Sequence, residues 1–153
     1  MRMHQQAIHN FVALLFVLFT TISCQENTFY HSYQPVANTG WYRNDTLSYQ
    51  LSSPISDTNE TLQYEIGIRH KDTYPYRDIW LMVNQDTVHV YLADTTGYWH
   101  GSGIGNIKQH SSTFHTKLTR GDSIKEFRIT HIMQDDPLHG ICDIGLHIMQ
   151  ANP

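Results

Sequence analysis

Histidine is the most frequent residue type in this chain that could hold a metal ion or move a proton. The sequence contains 11 histidines. A zinc site on a single element needs a short repeat, such as His-x-His on a strand or His-x₃-His on a helix, and no pair here has that spacing. We therefore expect scattered surface histidines and no metal site, while ligands brought together from distant segments remain an open alternative. The histidines that follow residue 24 are His31, His70, His89, His100, His110, His115, His131, His139 and His147.

Other residues that could do chemistry lack the partners that catalysis needs. The sequence has no Gly-x-Ser-x-Gly elbow, and Asp135-Asp136 precedes Pro137, which is typical of a turn. The glycine-rich segment 97–105 is not followed by the helix start and Lys-Ser/Thr pair of a phosphate-binding loop. We therefore predict no catalytic residue, no cofactor and no nucleotide, and we expect a protein that is not an enzyme.

Cys24 is the one residue for which the sequence predicts a covalent modification. An apolar run at 11–19 leads through Thr20 and Thr21 to Ile22-Ser23-Cys24, which resembles a bacterial lipobox, with Thr21 where leucine is usual. The run is too short to span a bilayer but suits the h-region of an export signal. We expect residues 1–23 to be a lipoprotein signal peptide and Cys24 to carry fatty acyl groups such as palmitate. An ordinary secretory signal is the alternative.

The remaining chain is expected to form one domain close to a membrane. Residues 24–28 form the lipidated N-terminus and a short tether with a reach of about 15 Å, and residues 29–153 form the domain. Cys142 is the one cysteine left in that domain, so no internal disulfide is expected. A net charge of −4 argues against nucleic acid as a partner.

Aromatic residues at predicted strand ends are the remaining binding candidates. Tyr98, Trp99, Trp41 and Tyr76 lie in or beside loops, where exposed rings could stack on sugars or dock a protein. The alternative that we favour is that these rings close the ends of the fold. The glycines around Tyr98 and Trp99 are expected to permit positive φ angles at a corner of a sheet.

Alternation of apolar and polar residues recurs along the domain and predicts strands. The segment 79–83 is apolar throughout and predicts a central strand buried on both faces, joined through a turn at 84–86 to the next strand as a hairpin. In the last segment, Cys142, Ile144, Leu146 and Ile148 are expected to face inward. The predicted strands are 46–51, 62–69, 79–83, 87–92, 114–118, 126–133 and 141–149.

These strands predict an all-β fold without a convincing helix. Sheets that are apolar on one face must stack on each other, so we expect an antiparallel β-sandwich of about seven to eight strands. A small up-and-down barrel is the alternative.

Several motifs of this chain occur together in one known family. They are Ser23-Cys24, Tyr30-His31-Ser32-Tyr33, Tyr74-Pro75-Tyr76 before Ile79-Trp80-Leu81, Asp86-Thr87-Val88, Leu92-Ala93-Asp94 and the segment 97–105. On these motifs the sequence is similar to the gliding motility-associated lipoprotein GldH family of Bacteroidota. That resemblance implies a lipid-anchored, non-enzymatic envelope protein of the outer membrane that supports gliding motility and type IX secretion alongside other proteins of that apparatus. It transfers one functional residue, Cys24, as the lipid attachment site. A carbohydrate-binding envelope lipoprotein that uses the aromatic loops is the alternative.

Overall fold

The computed structural model describes residues 28–56, 61–117 and 123–149. These residues form nine strands and no helix, which confirms the prediction of an all-β fold. The first strand begins at Thr28, one residue before the expected start of the domain. The strands are β1 (Thr28–Pro35), β2 (Leu47–Ser56), β3 (Thr61–Lys71), β4 (Asp78–Val83), β5 (Asp86–Tyr91), β6 (Ser102–Ile104), β7 (Ile107–Lys117), β8 (Ser123–His131) and β9 (Ile141–Met149).

The strands form two sheets in which every pair is antiparallel. The five-stranded sheet has the order β1-β9-β3-β7-β6, and the four-stranded sheet has the order β2-β8-β4-β5. The predicted hairpin is confirmed, because β4 and β5 pair around Asn84 and Gln85, with Asn84 at a φ of 55°. The two sheets stack as the predicted sandwich.

The core between the sheets follows from the period-2 alternation. On β3, Leu62, Tyr64, Ile66 and Ile68 are buried. Arg69 and the other residues that alternate with this buried set lie on the outer face of the sheet. Aromatic rings join the sheets, since Tyr64 on β3 packs against Phe127 on β8 with ring centroids 5.7 Å apart. The buried hydroxyl of Tyr49 on β2 donates a hydrogen bond of 2.7 Å to the carbonyl of Ile144 on β9.

The prediction that segment 79–83 is buried on both faces is wrong. Ile79, Leu81 and Val83 are buried, but Trp80 is 41% exposed and Met82 is 39% exposed. β4 does lie inside its sheet, between β8 and β5. Among the described residues no element covers the outer face of that sheet, so its apolar side chains remain in contact with water.

Several strand boundaries differ from the prediction. The chain has strands at β1 and β6 that were not among the predicted runs, and β7 begins at Ile107 instead of Phe114. On one side β7 pairs with only the three residues of β6, and none of its side chains is fully buried. It therefore tolerates a polar sequence, which is why the sequence did not predict a strand from Ile107. β2 continues through Pro54 because it is an edge strand, where a missing N–H group costs little.

Strand direction gives the sandwich two ends. β1 begins at Thr28 opposite Met149 and ends at Pro35 opposite Asp143, and its rise of about 3.3 Å per residue places these ends roughly 25 Å apart. We call the end where β1 begins the tether end and the other the distal end. The distal end carries the connections 36–46, 72–77, 92–101 and 132–140.

Candidate functional surfaces

The glycine-rich connection projects an aromatic ring from the distal end. Gly97 and Gly101 have φ values of 87° and 80°, as the sequence predicts. The carboxylate of Asp94 accepts hydrogen bonds of 2.6 Å from the Thr96 hydroxyl and 2.9 Å from the Tyr98 amide. These bonds lower the pKa of Asp94 and fix the loop, in which Tyr98 is 78% exposed.

Trp99 sits beneath this loop and is only partly accessible. Its ring packs on the buried ring of His70, with centroids 4.6 Å apart. A cavity of about 310 Å³ lies beside it, lined by Tyr98, Trp99, Lys108 and the glycines of the segment. Tyr98 and Trp99 are therefore brought together as neighbours, with a lysine at their side.

Trp41 is not available for contact with a partner, which corrects its place among the binding candidates. The residue is 1% exposed. Its indole Nε1 donates a hydrogen bond of 2.7 Å to the carbonyl of Asp45, and its ring packs 5.2 Å from that of His131. The ring closes the distal end of the sandwich, as in the favoured alternative.

Tyr76 has an intermediate position. It is half-buried, with its ring 5.8 Å from that of the buried Tyr74. A hydrogen bond to Asp135 raises the pKa of its hydroxyl. Tyr76 therefore helps to join two distal connections and presents only part of its ring to solvent.

The expectation of surface histidines is wrong for His70 and His131, both of which are fully buried. Nδ1 of His70 is 2.9 Å from the carbonyl of Lys71, while its Nε2 has no partner among the described residues. Neither ring nitrogen of His131 has a partner of normal hydrogen-bond geometry among the described residues. The Trp41 backbone lies close enough to favour the charged form of this imidazole, but less than burial disfavours it. Burial lowers the pKa of both side chains.

Within 28–56, 61–117 and 123–149, no three metal-binding side chains come together. Histidines do approach in pairs, with ring centroids 4.9 Å apart for His31 and His147 and 5.5 Å apart for His100 and His110. Cys142 is half-buried on β9, and burial raises the pKa of its thiol.

The structure also groups side chains that the sequence reasoning did not select. On the outer face of the four-stranded sheet, the rings of Trp80 and His89 stack at 3.9 Å with an interplanar angle of 9°. Tyr91 packs 4.2 Å from His89, and Nε2 of His89 lies 2.7 Å from Oδ2 of Asp78. Alternation with the buried Val88 and Val90 was the signal that could have placed His89 and Tyr91 outside. We call Trp80, His89 and Tyr91 the outer aromatic row.

Cys24 and the signal segment 1–23 lie outside the described residues. No helix in the described part of the chain is long and apolar enough to cross a membrane.

Comparisons with known proteins give the same family as the sequence motifs. The profile of the family described as GldH lipoprotein matches residues 28–148. A Flavobacterium johnsoniae protein named gliding motility lipoprotein GldH is 23% identical over 95% of this chain and 99% of its own length. A Christiangramia forsetii protein named gliding motility lipoprotein GldH homolog is 20% identical over 90% of this chain and 93% of its own length.

Two solved structures show a distant likeness. They are a CBM35 from Cellvibrio japonicus Abf62, with a TM-score of 0.38 and 14% identity over 85% of this chain and 91% of that one, and a family 35 carbohydrate-binding module from Clostridium thermocellum, with a TM-score of 0.33 and 17% identity over 78% and 99%. At these scores the likeness carries no argument about what this chain binds.

Proposed function

Because the chain belongs to the GldH lipoprotein family, we propose that it is an envelope lipoprotein, anchored through Cys24, that supports gliding motility and the associated type IX secretion apparatus. Its role is to assemble or stabilise that apparatus and not to catalyse a reaction. The match of residues 28–148, nearly the whole described domain, to the family profile is the observation that carries the proposal. We place the protein in the outer membrane.

The position of the first strand supports the anchoring role. β1 starts at Thr28, so only residues 25–27 separate Cys24 from the sandwich. At about 3.3–3.6 Å per residue this tether holds the tether end close to the lipid headgroups. The distal end, on which Tyr98 is exposed, then lies roughly the length of a strand away from the bilayer.

The chemistry of the described surfaces supports a binding role over a catalytic one. The outer aromatic row and Tyr98 present aromatic rings at or near the surface, which is typical of contacts between macromolecules. Two of the three described histidines whose pKa is lowered, His70 and His131, are enclosed in the core, where a substrate would not reach them. The third, His110, is half-buried.

Metabolic labelling with an alkyne fatty acid tests the anchor. We expect the wild-type chain to be labelled and Cys24→Ser to be unlabelled and retained as a larger precursor. Cys142→Ser is the matched control, because it removes the other cysteine and should keep the label. Equal labelling of Cys24→Ser and wild type would refute attachment at Cys24.

Deletion of the gene tests the role in secretion and gliding. We expect export of type IX cargo to fall, together with gliding where the bacterium glides. Wild type and Cys142→Ser should restore both functions, and Cys24→Ser should not. Normal export and movement in the deletion strain would overturn the proposal.

A carbohydrate-binding role is a second candidate, favoured by the cavity between Tyr98, Trp99 and Lys108. A glycan array probed with the full chain in detergent tests it. Binding that is lost in Tyr98→Ala and kept in Tyr42→Ala, another exposed tyrosine of the distal end, would support this candidate. An array without binding would remove it.

A further inference from the structure

β5 is the last strand of the four-stranded sheet among the described residues, so one of its edges has no neighbouring strand. Hydrogen bonds of β4 show which backbone groups reach that edge. The Ile132 amide donates to the carbonyl of Trp80 at 3.0 Å, and the Asn84 amide donates to the carbonyl of Arg128 at 2.8 Å. The even-numbered residues of β4 therefore bond to β8, and the odd-numbered residues bond to β5.

The alternation continues across β5. Its even-numbered residues, opposite Leu81 and Ile79, bond to β4. Thr87, His89 and Tyr91 consequently direct their N–H and C=O groups away from the sheet. Three donors and three acceptors thus lie along the free edge at the spacing that a further strand requires.

The side chains of the same three residues lie on the outer face, where His89 and Tyr91 belong to the outer aromatic row. In register across the sheet, Ile132 is followed by Trp80 and then by His89. His89 is held by its stacking on Trp80 and by its contact with Asp78. Across the strands this line of side chains ends at His89, and Tyr91 beside it on β5 is 62% exposed. A residue paired opposite His89 would extend the row by one side chain.

We propose that the free edge of β5 binds an extended segment of a partner protein, which adds a fifth strand to this sheet. Backbone hydrogen bonds to Thr87, His89 and Tyr91 hold the segment, and an apolar or aromatic side chain opposite His89 packs against the row. This inference deepens the proposed function and rests on it, because it names the surface through which the anchored protein holds its partner.

A second copy of the chain does not suit this edge. Antiparallel pairing of two β5 strands relates the copies by a two-fold axis perpendicular to the sheet, which reverses the strand direction of one copy. The tether ends would then point in opposite directions, and two copies anchored through Cys24 could not enter one membrane. Parallel pairing about a two-fold axis along the strands would turn the two outer aromatic rows to opposite faces.

A sugar suits the edge less well than a strand. Sugars bind aromatic side chains through an open ring face, but one face of Trp80 is already covered by His89 at 3.9 Å. A sugar would also leave the alternating N–H and C=O groups of the edge without the regular partners that a peptide backbone supplies.

Site-specific crosslinking in the bacterium tests the proposal. Benzoylphenylalanine replaces Thr87 in one full-length chain and Tyr91 in another, and mass spectrometry maps the adducts. We expect both positions to crosslink to one segment of one protein, at residues four apart, because a paired strand has the same residue spacing as β5.

Proline substitutions supply the matched comparison. Thr87→Pro, added to the chain that carries benzoylphenylalanine at residue 91, removes one outward N–H group and leaves its acceptor on the bound segment unpaired, which should lower the adduct yield about fivefold or more. Gln50→Pro is the control. It is an exposed residue of β2, whose backbone points to the other free edge of the same sheet, and it should leave the yield unchanged. Thermal unfolding verifies that both variants fold.

The remaining outcomes overturn the proposal. They are adducts with a second copy, with another segment of the same chain, with glycan or with lipid, adducts at unrelated residues, no adduct, and equal yields in the two proline variants. Fatty-acid labelling of Cys24 in the same cells separates the two proposals. A labelled chain without the paired adducts refutes only the strand addition.

Discussion

Substitution of Gly145 tests how the outer face of the five-stranded sheet is packed. The ring of Tyr33 on β1 covers Gly145 on β9 and reaches Gly67 on β3. A Cβ atom at Gly145 would lie 2.4, 2.5 and 2.7 Å from three ring carbons of Tyr33. A Cβ atom at Gly67 would lie 2.3 Å from the hydroxyl oxygen and 3.0 Å from the nearest ring carbon. The two glycines therefore meet different parts of one side chain.

The structure gives the expected sizes of the effects. Gly145→Ala forces the ring away from its site and should lower the free energy of unfolding by about 1–3 kcal/mol. In a Tyr33→Ala background the clash is absent, and alanine in a strand should raise that free energy by about 0.5–1 kcal/mol relative to glycine. The coupling between positions 33 and 145 is then about 1.5–4 kcal/mol.

Tyr33→Phe sharpens this test because it removes only the hydroxyl. It should relieve most of the cost of Gly67→Ala, while Gly145→Ala should remain costly because the ring carbons stay in place. Equilibrium urea unfolding of the full chain in detergent, followed by tryptophan fluorescence, measures each free energy. An equal cost of Gly145→Ala with tyrosine and with alanine at position 33 would refute the reasoning.

Three further effects concern pH, backbone conformation and charge. Burial holds the pKa of His131 below its ordinary value, so the unfolded chain binds the proton more readily than the folded chain. The free energy of unfolding should therefore fall as the pH drops through about 6.5. Urea unfolding measured from about pH 8 to about pH 5.5 should show a smaller loss of this free energy for His131→Phe than for wild type. Gly101→Ala should lower the unfolding temperature more than Gly97→Ala. Both glycines have positive φ, but only at Gly101 would a Cβ lie 2.0 Å from a backbone oxygen. Equal shifts of the unfolding temperature would contradict this. The pair of Arg69 and Asp143, with atoms 2.6 Å apart but 43% of the arginine side chain exposed, should contribute about 0.2–1 kcal/mol in a double-mutant cycle and lose this in about 1 M salt.

Face assignments along most strands were predictable because a strand alternates with a period of two. Leu62, Tyr64, Ile66 and Ile68 could be assigned to the core from sequence and are buried there. The turn around Asn84 was predictable for a similar reason, because it depends on residues adjacent in the chain. The resemblance to the GldH family was carried by particular motifs, such as the segment 97–105, and not by this alternation.

Segment 79–83 shows where local pattern fails. Five apolar residues in succession give no period, and whether Trp80 and Met82 are covered depends on what packs on the outer face of the sheet. The polar residues at the start of β7 did not predict a strand. The backbone of β7 pairs with β3 along its whole length, but its side chains are exposed or only half-buried, so the strand needs no apolar pattern.

The candidate surfaces were predictable only in part. Tyr98 is exposed beside glycines, whereas the favoured interpretation of the sequence was that this ring helps to close an end of the fold. Trp41 is also in a connection but is enclosed, because Leu138 from a distant connection pairs with its backbone and His131 packs on its ring. The residues next to Trp41 in the chain therefore do not show that its ring is buried.

Residue order alone predicted the acylation motif at Cys24 and the alternating strands, since each of these depends on neighbours along the chain, and its motifs carried the resemblance to the family. Tertiary structure decided which edge of the sheet stays open and which rings lie side by side. Alternation says which face of its strand a residue occupies, but not which strand will lie next to it. Trp80, His89 and Tyr91 form one row because β4 and β5 pair in one register and nothing described covers them.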